Sequence, residues 1–300
     1  MEVALSIGNF DAVHRGHVAI VKAARSAVGT GRVVIWSFEP SPATFLKPEI
    51  EVERLTSFAQ RRALLMEAGA DEVLELKPTK ELMCQSPEEF VKNFVAALAP
   101  QFVVEGDGFH FGKNRAGTLD ELQRLGPMFG FSTIKVSPIN ITLRDLSNLR
   151  ASSSLVRTLI KSGRVEDAQI VLGRPVSVSG TVQSGDRRGR TMNFPTANMC
   201  NIETLLPADG IYAGRGILEN GESFPAAISI GTKPTFGNNE RTCEAHLIGY
   251  DGEVDYYGWK LELIFDHWLR DQIRFSSIEE LKKAIQDDVD KTNRLLERNI

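Results

Sequence analysis

His14 and His17 stand three apart with Gly16 between them, inside Gly8-Asn9-Phe10-Asp11-Ala12-Val13-His14-Arg15-Gly16-His17. Imidazoles can donate to phosphate oxygens, and residues three apart share a face once a helix has begun. The stretch follows the apolar run Val3 to Ile7, which reads as a buried strand, and leads into Val18-Ala19-Ile20-Val21, which reads as helix. A helix N-terminus offers unpaired N–H groups and a partial positive charge, a natural seat for phosphate. Gly16 has no side chain to keep a bulky ligand from the backbone. A second group of similar chemistry is Ala151-Ser152-Ser153-Ser154-Leu155-Val156-Arg157, a hydroxyl-rich helix start with a guanidinium on its first turn. It reads equally well as N-capping of a helix over 155–161 and as a phosphate clamp. Thr196 and Asn198, two apart on an extended segment, point to one side, where their oxygens could meet one hard cation. Neither G-x-x-x-x-G-K-[ST] nor a G-x-G-x-x-G after a strand occurs, so nucleotide binding by those cradles is excluded.

The elements that must position these residues change character along the chain. Up to about Leu172, short apolar runs (3–7, 32–38, 72–76, 102–105 and 133–136) alternate with amphipathic segments. One of these opens with Ser86 as N-cap, Pro87 at the first helical position and Glu89 completing a capping box. Such alternation predicts a parallel sheet wrapped on both faces by helices, with ligands bound beyond the carboxyl ends of the strands. After Gly173-Arg174-Pro175 the pattern becomes short strands, at Val176–Val182, 211–218, 226–230, 243–250 and 260–265, separated by turn residues. That predicts a small antiparallel barrel or sandwich. Ser277 caps a closing helix with Leu281, Ile285 and Val289 as its apolar stripe. The expected domains are 1–172 and 173–300.

The 300 residues carry a net charge of −4, with 42% hydrophobic and 25% charged residues. This is a globular composition without the basic excess of a nucleic-acid-coating surface. Three scattered cysteines form neither a disulfide framework nor a zinc cluster. No signal-peptide pattern and no spanning apolar stretch is evident, so a cytoplasmic, membrane-free protein is expected.

The first half resembles a known family. Gly8-Asn9-Phe10-Asp11 with His14-x-Gly16-His17, and Ser152-Ser153-Ser154-x-x-Arg157, resemble the H-x-G-H nucleotidylyltransferases. Phe38-x-Pro40, Arg54-Leu55-Thr56 and Gly106-Asp107-Gly108-Phe109-His110-Phe111-Gly112 narrow the likeness to the FMN adenylyltransferase module of bacterial bifunctional FAD synthetases. The resemblance implies attack by an FMN phosphate oxygen on the α-phosphorus of Mg-ATP. It implies that His14, His17 and Arg157 are catalytic. Gly8, Asn9, Phe10, Asp11, Gly16, Ser152, Ser153 and Ser154 would bind nucleotide; Phe38, Pro40, Asp107 and Phe109 would lie near the flavin. The family usually has Gly at the position of Ala12, and Asp or Asn at that of Gly108.

The second half continues the likeness. Phe194-Pro195-Thr196-Ala197-Asn198, Gly210-Ile211-Tyr212, Ile230-Gly231-Thr232-Lys233-Pro234-Thr235 and Glu244-x-His246-Leu247 resemble riboflavin kinase, a six-stranded antiparallel barrel with a terminal helix. By that resemblance Thr196 and Asn198 hold Mg²⁺ with ATP, and the loop bearing Arg188 and Arg190 closes over the nucleotide. The family's Leu/Ile-Arg-x-Glu, whose Glu the resemblance makes the general base, appears here as Leu269-Arg270-Asp271-Gln272. Gln272 cannot take up a proton, although Asp271 could substitute if the backbone turned it inward. Asn193 and Gly249 are further departures. The expectation is a bifunctional enzyme converting riboflavin to FMN and FMN to FAD with Mg-ATP as co-substrate. The alternatives are a monofunctional FMN adenylyltransferase with an impaired kinase domain and a flavin-sensing regulator.

Overall fold

The apolar runs of the first half form one parallel sheet in the computed structural model, which describes residues 1–49, 52–184, 194–233, 238–252 and 257–297. Its strands are β1 (Val3–Gly8), β2 (Arg32–Phe38), β3 (Glu72–Leu76), β4 (Phe102–Gly106) and, after a short hairpin of β5 (His110–Phe111) with β6 (Gly117–Thr118), β7 (Ser132–Val136). The order is β3-β2-β1-β4-β7, so chain direction across the sheet reverses between β1 and β4. The central strands β1, β2 and β4 are covered on both faces, which is why their buried residues follow one another without alternation, whereas the edge strands β3 and β7 carry exposed polar residues. Leu5, Ile7, Val103 and Phe90 pack on one side, and Ala4, Val21, Ile35 and Val104 on the other.

The β1–β2 ladder runs to Gly8 beside Ser37, and the β4–β7 ladder to Gly106 beside Val136. The β1–β4 ladder stops at Leu5 beside Val103. The sheet therefore forks at its carboxyl end, where the order reverses. A further hairpin, β8 (Asn140–Thr142) with β9 (Asn148–Arg150), follows. The Ser86 capping box is present; beyond Phe90 the helix widens to a π turn over Val91–Val95, which buries both of those valines.

The second half is a closed six-stranded antiparallel barrel. In chain order its strands are β10 (Val176–Gln183), β11 (Ala197–Cys200), β12 (Gly210–Leu218), β13 (Ser223–Lys233), β14 (Asn238–Leu247) and β15 (Lys260–Arg270). Alternate residues fill it: Val178, Ile228, Ile230, Cys243, Ala245, Leu263 and Phe265 are buried. Burial raises the Cys243 thiol to about 12. Strand β14 begins earlier than its apolar residues suggest and ends at Leu247, because Gly249 turns the chain at φ 80°. The terminal helix, Ile278–Glu297, buries Asp288, Val289 and Thr292; Leu281 and Ile285 are only half-buried. Asp288 accounts for the rotation, since its carboxylate takes two bonds from Arg270 at 3.0 and 2.6 Å.

Packing divides the chain into Met1–Ser153 and Ser154–Ile300. Helix Val165–Leu172 packs on β10 and β15, the Ala208 N–H donates to the Ile160 carbonyl at 3.1 Å, and Gly163 turns against Trp268. The helical segment before residue 172 thus groups with the barrel, whereas the change of sequence pattern falls after it. Among the described residues no helix is long and apolar enough to cross a membrane.

The register between β12 and β15 shifts at Ala213/Gly214, and a Cβ on Gly214 would lie 1.9 Å from the Ile264 carbonyl oxygen. Gly214→Ala is expected to cost about 3 kcal/mol by forcing these strands apart, read as a lowered thermal midpoint.

Candidate active sites

The loop between β1 and the helix α1 (Arg15–Val28) is held in an unusual backbone shape. Phe10, Ala12 and Val13 have φ of 47°, 77° and 43°, and all three are buried. Each such residue costs about 1–3 kcal/mol and persists only where its surroundings over-determine it. Asp11 does this. Its carboxylate accepts from the N–H groups of Ala12, Leu55 and Thr56 and from the Thr56 hydroxyl, at 3.1, 3.1, 3.0 and 3.0 Å. Buried Arg61 stands 3.9 Å away and 3.3 Å from Glu39, and it donates to the Ser37 hydroxyl and the Phe38 carbonyl. Burial lowers the Arg61 pKa, and the charges of Asp11 and Glu39 oppose that. The Ser153 hydroxyl donates to the Asp11 carbonyl at 2.7 Å. Asp11 is thus committed to shaping the loop, and it is not among the residues lining the cavity beyond it.

His14 caps α1. Its Nδ1 accepts the Gly16 N–H at 3.1 Å, which places the ring proton on Nε2 and makes that atom a donor. The His17 ring stacks on it, centroids 3.7 Å apart and planes 21° apart, and Phe10 meets His17 edge-on at 5.1 Å. Gly16 also makes room for the imidazole, since a Cβ there would sit 2.9 Å from His14 Cε1.

A cavity of about 440 Å³ opens at the sheet fork, lined by Gly8, Asn9, Phe10, His14, Gly16 and His17 from the first loop, and by Asp107, Phe109, Arg150 and Ser152 opposite. Asn9 is fixed through its carbonyl, which accepts the Ser37 hydroxyl at 3.2 Å. Phe109 stacks on Phe111, and Asp107 pairs with Lys135, whose proximity lowers the Asp107 pKa. Phe38 packs against the apolar cluster on one face of the sheet; neither it nor Pro40 is among the described residues lining the cavity. Ser153 begins the helix Ser153–Lys161, and Ser154 and Arg157 follow on it, in the second unit.

Arg150 is a residue the sequence motifs do not single out. It is exposed and lines the cavity, and its guanidinium makes no hydrogen bond or ion pair among the described residues. A Cβ at Gly108 would lie 3.3 Å from its guanidinium, so Gly108 leaves Arg150 room.

On the barrel, register assembles a second cluster. Asn198 of β11 lies beside Glu244 of β14, and Glu244 beside Ser229 of β13, all on the outer face. The Gln272 amide donates to the Ser229 hydroxyl at 3.2 Å and lies against Gly231, whose φ is 136° and where a Cβ would stand 2.5 Å from the Gln272 oxygen. His246 Nδ1–H donates to the Pro195 carbonyl at 2.8 Å and its ring meets Phe194 edge-on, fixing the segment that carries Thr196. Among the described residues, Thr196 Oγ1 and Asn198 Oδ1 take no hydrogen bond; the Asn198 amide donates to the Thr196 carbonyl at 3.4 Å. Two uncommitted hard oxygens suit a cation that arrives on phosphates, and no group of three acidic, histidine or cysteine residues among the described residues could hold a metal alone. Asp271 is exposed beyond the end of β15. Arg188, Arg190 and Asn193 lie outside the described residues.

The comparisons with known proteins agree with this two-site geometry. The FAD synthetase family model matches residues 1–150 and the riboflavin kinase model residues 172–296. The bifunctional riboflavin kinase/FMN adenylyltransferase of Pseudomonas fluorescens is 37% identical over 290 residues, covering 95% of this chain and 90% of its own. The protein of the same description from Escherichia coli K12 is 32% identical over 288 residues, with the same coverage of 95% and 90%. A crystal structure described as a macrolide-efflux protein from Streptococcus pneumoniae superposes with a TM-score of 0.85 at 25% identity, covering 97% of this chain and 94% of that one.

Removing the Asp11 carboxylate strands four buried donors and the Arg61 charge. Asp11→Ala is expected to cost about 3–5 kcal/mol in urea unfolding, while Ala12→Gly, which relieves a left-handed residue, costs less than about 1 kcal/mol.

Proposed function

The chain belongs to the bifunctional riboflavin kinase/FMN adenylyltransferase family, and from that membership we propose how its residues divide the two reactions. The protein phosphorylates riboflavin to FMN and joins FMN to the adenylyl group of a second ATP, giving FAD and pyrophosphate. The observation that carries the assignment of the adenylyl transfer is the stacked His14–His17 pair at the N-terminus of α1, facing the cavity at the sheet fork.

There a phosphate oxygen of FMN attacks the α-phosphorus of ATP as the bond to pyrophosphate breaks. No covalent enzyme intermediate is required, so catalysis consists of alignment and charge neutralisation. His14, through Nε2–H, and His17 donate to the triphosphate, helped by the first N–H groups of α1. Asn9 and Ser152 orient it, Arg150 meets an incoming phosphate, and Ser153 serves the leaving pyrophosphate. Asp107 and Phe109 face the flavin side of the cavity.

For the kinase reaction, Thr196 Oγ1 and Asn198 Oδ1 hold Mg²⁺ with ATP. Magnesium, when bound, neutralises phosphate charge. Arg188 and Arg190 serve the nucleotide from their loop. Glu244, beside Asn198 in register, takes the proton from the riboflavin 5′-hydroxyl as that oxygen attacks the γ-phosphorus and the bond to the departing ADP breaks. Gln272 serves the site differently, since its amide orients Ser229 at the other flank of Glu244. The base that the Leu269–Gln272 segment lacks is thus supplied from a neighbouring strand. Residues 1–172 and 173–300 carry adenylyl transfer and phosphorylation respectively.

Following riboflavin, FMN and FAD by chromatography tests both assignments. His17→Ala is expected to slow FAD formation from FMN at least a hundredfold, on the order of one lost oxyanion donor, and to leave FMN formation within about twofold. Glu244→Gln is expected to slow FMN formation by about 10²–10⁴, whereas Gln272→Glu changes it less than about tenfold. A tenfold or greater gain from Gln272→Glu would return the base to position 272.

A further inference from the structure

The fork between β1 and β4 holds a carboxyl group that the adenylyl transfer described above does not use. Glu105 is 3% exposed and lines the cavity that contains His14 and His17. Where the β1–β4 ladder has ended, its Oε1 accepts the Ile7 N–H at 2.6 Å and the Ser6 hydroxyl at 3.3 Å. The side chain thereby supplies the acceptor that a continued ladder would have offered to β1. Its Oε2 takes no bond from the described protein. The charged and titratable groups around it are His14 and His17 at α1, Arg150 on β9, and Asp107 with its partner Lys135 on β7; none forms an ion pair with it. The helices on the other side present apolar residues such as Phe90 and Leu119.

We infer that Glu105 is a positioning residue of the adenylyl transfer, a neutral carboxylic acid wedged in the fork that fixes the Ile7–Asn9 backbone and adds no negative charge of its own to the cavity. This rests on the assignment of that cavity to ATP. Burial pushes the Glu105 carboxyl well above the usual carboxylate range, and its bonds to Ile7 and Ser6 only partly offset this. An ionised carboxylate beside a triphosphate would repel it, so nucleotide binding and ionisation of Glu105 oppose one another. The linkage has a definite sign. Folded Glu105 keeps a proton that the unfolded chain releases near pH 4.5, so its contribution to stability is complete below that pH and is lost as pH rises toward the folded value.

The test compares the full-length wild type with Glu105→Gln and Glu105→Leu. In FAD synthesis from FMN, the wild-type KM for ATP is expected to rise at least threefold across a pH series that starts at about pH 7 and runs upward, as Glu105 ionises. Glu105→Gln should stay flat over that range with the wild-type KM near pH 7. Glu105→Leu should be flat but raised at every pH, because the Ile7 N–H has lost its acceptor. Because the three proteins differ only at position 105, the difference between their profiles isolates the carboxyl group. Independently of activity, the wild-type unfolding constant should rise with pH above 4.5 by up to about tenfold per unit more steeply than that of either variant. Parallel KM profiles, or identical stability slopes, overturn the inference. Absence of FAD formation by the wild type would instead overturn the reaction assigned to the cavity, and the stability slopes would still decide the state of Glu105.

Discussion

One buried carboxylate sets the shape on which the first site depends. Three non-glycine residues in the loop after β1 adopt left-handed backbone conformations, each unfavourable in isolation. Asp11 holds them there by gathering four donors from its own loop and from Leu55 and Thr56, with Arg61 closing the charge. Arg61 in turn holds Ser37, which holds the Asn9 carbonyl, and the Asp11 carbonyl receives Ser153. The loop after β1 and Ser153, far apart in sequence, therefore meet through one residue. The imidazoles are stacked where they are because the loop that ends in His14 has a single shape.

The barrel reaches comparable precision by other means. Among the described residues no charged group is fully buried at its kinase cluster; strand register does the placing. A row across β11, β14 and β13 brings Asn198, Glu244 and Ser229 side by side, and period-two alternation keeps their neighbours Met199, Cys243, Ile228 and Ile230 inside. A slip of one residue would turn every member of the row inward. The Arg270–Asp288 pair, which ties the end of β15 to the terminal helix, fixes where Gln272 leaves the barrel.

Much of this is legible in the sequence, and the reasons for the exceptions are physical. Strand positions in the sheet follow from apolar runs, and the capping box at Ser86 from local chemistry alone. The H-x-G-H spacing gives the histidine pair, since three residues bring two side chains to one helix face. The role of Asp11 is not legible, because three of its four donors are backbone N–H groups, which any residue type carries, and the fourth, the Thr56 hydroxyl, lies 45 positions away. Arg150 is hidden for the opposite reason: an exposed arginine is ordinary until Gly108 is seen to lie under it. Glu244 could have been found from the Glu244-x-His246 alternation, which puts both on one face of a strand. Its neighbour Asn198 is set by barrel closure, which periodicity does not encode. The amphipathic pattern of the helices before Leu172 shows that they bury a face but not against which partner.

Barrel closure also has a consequence in time. Strand β10 pairs along its length with β15, Val176 beside Phe265, while β12 flanks β15 on the other side. The last strand made is therefore the keystone: during vectorial synthesis no closed barrel can exist until β15 has been translated. All five strands of the parallel sheet, by contrast, are already in hand at Val136. Non-local pairing is intrinsically slow to form, and nascent chains fold from the N-terminus. The topology thus sets an order of maturation, in which the unit that consumes FMN can take shape on the ribosome before the unit that makes it.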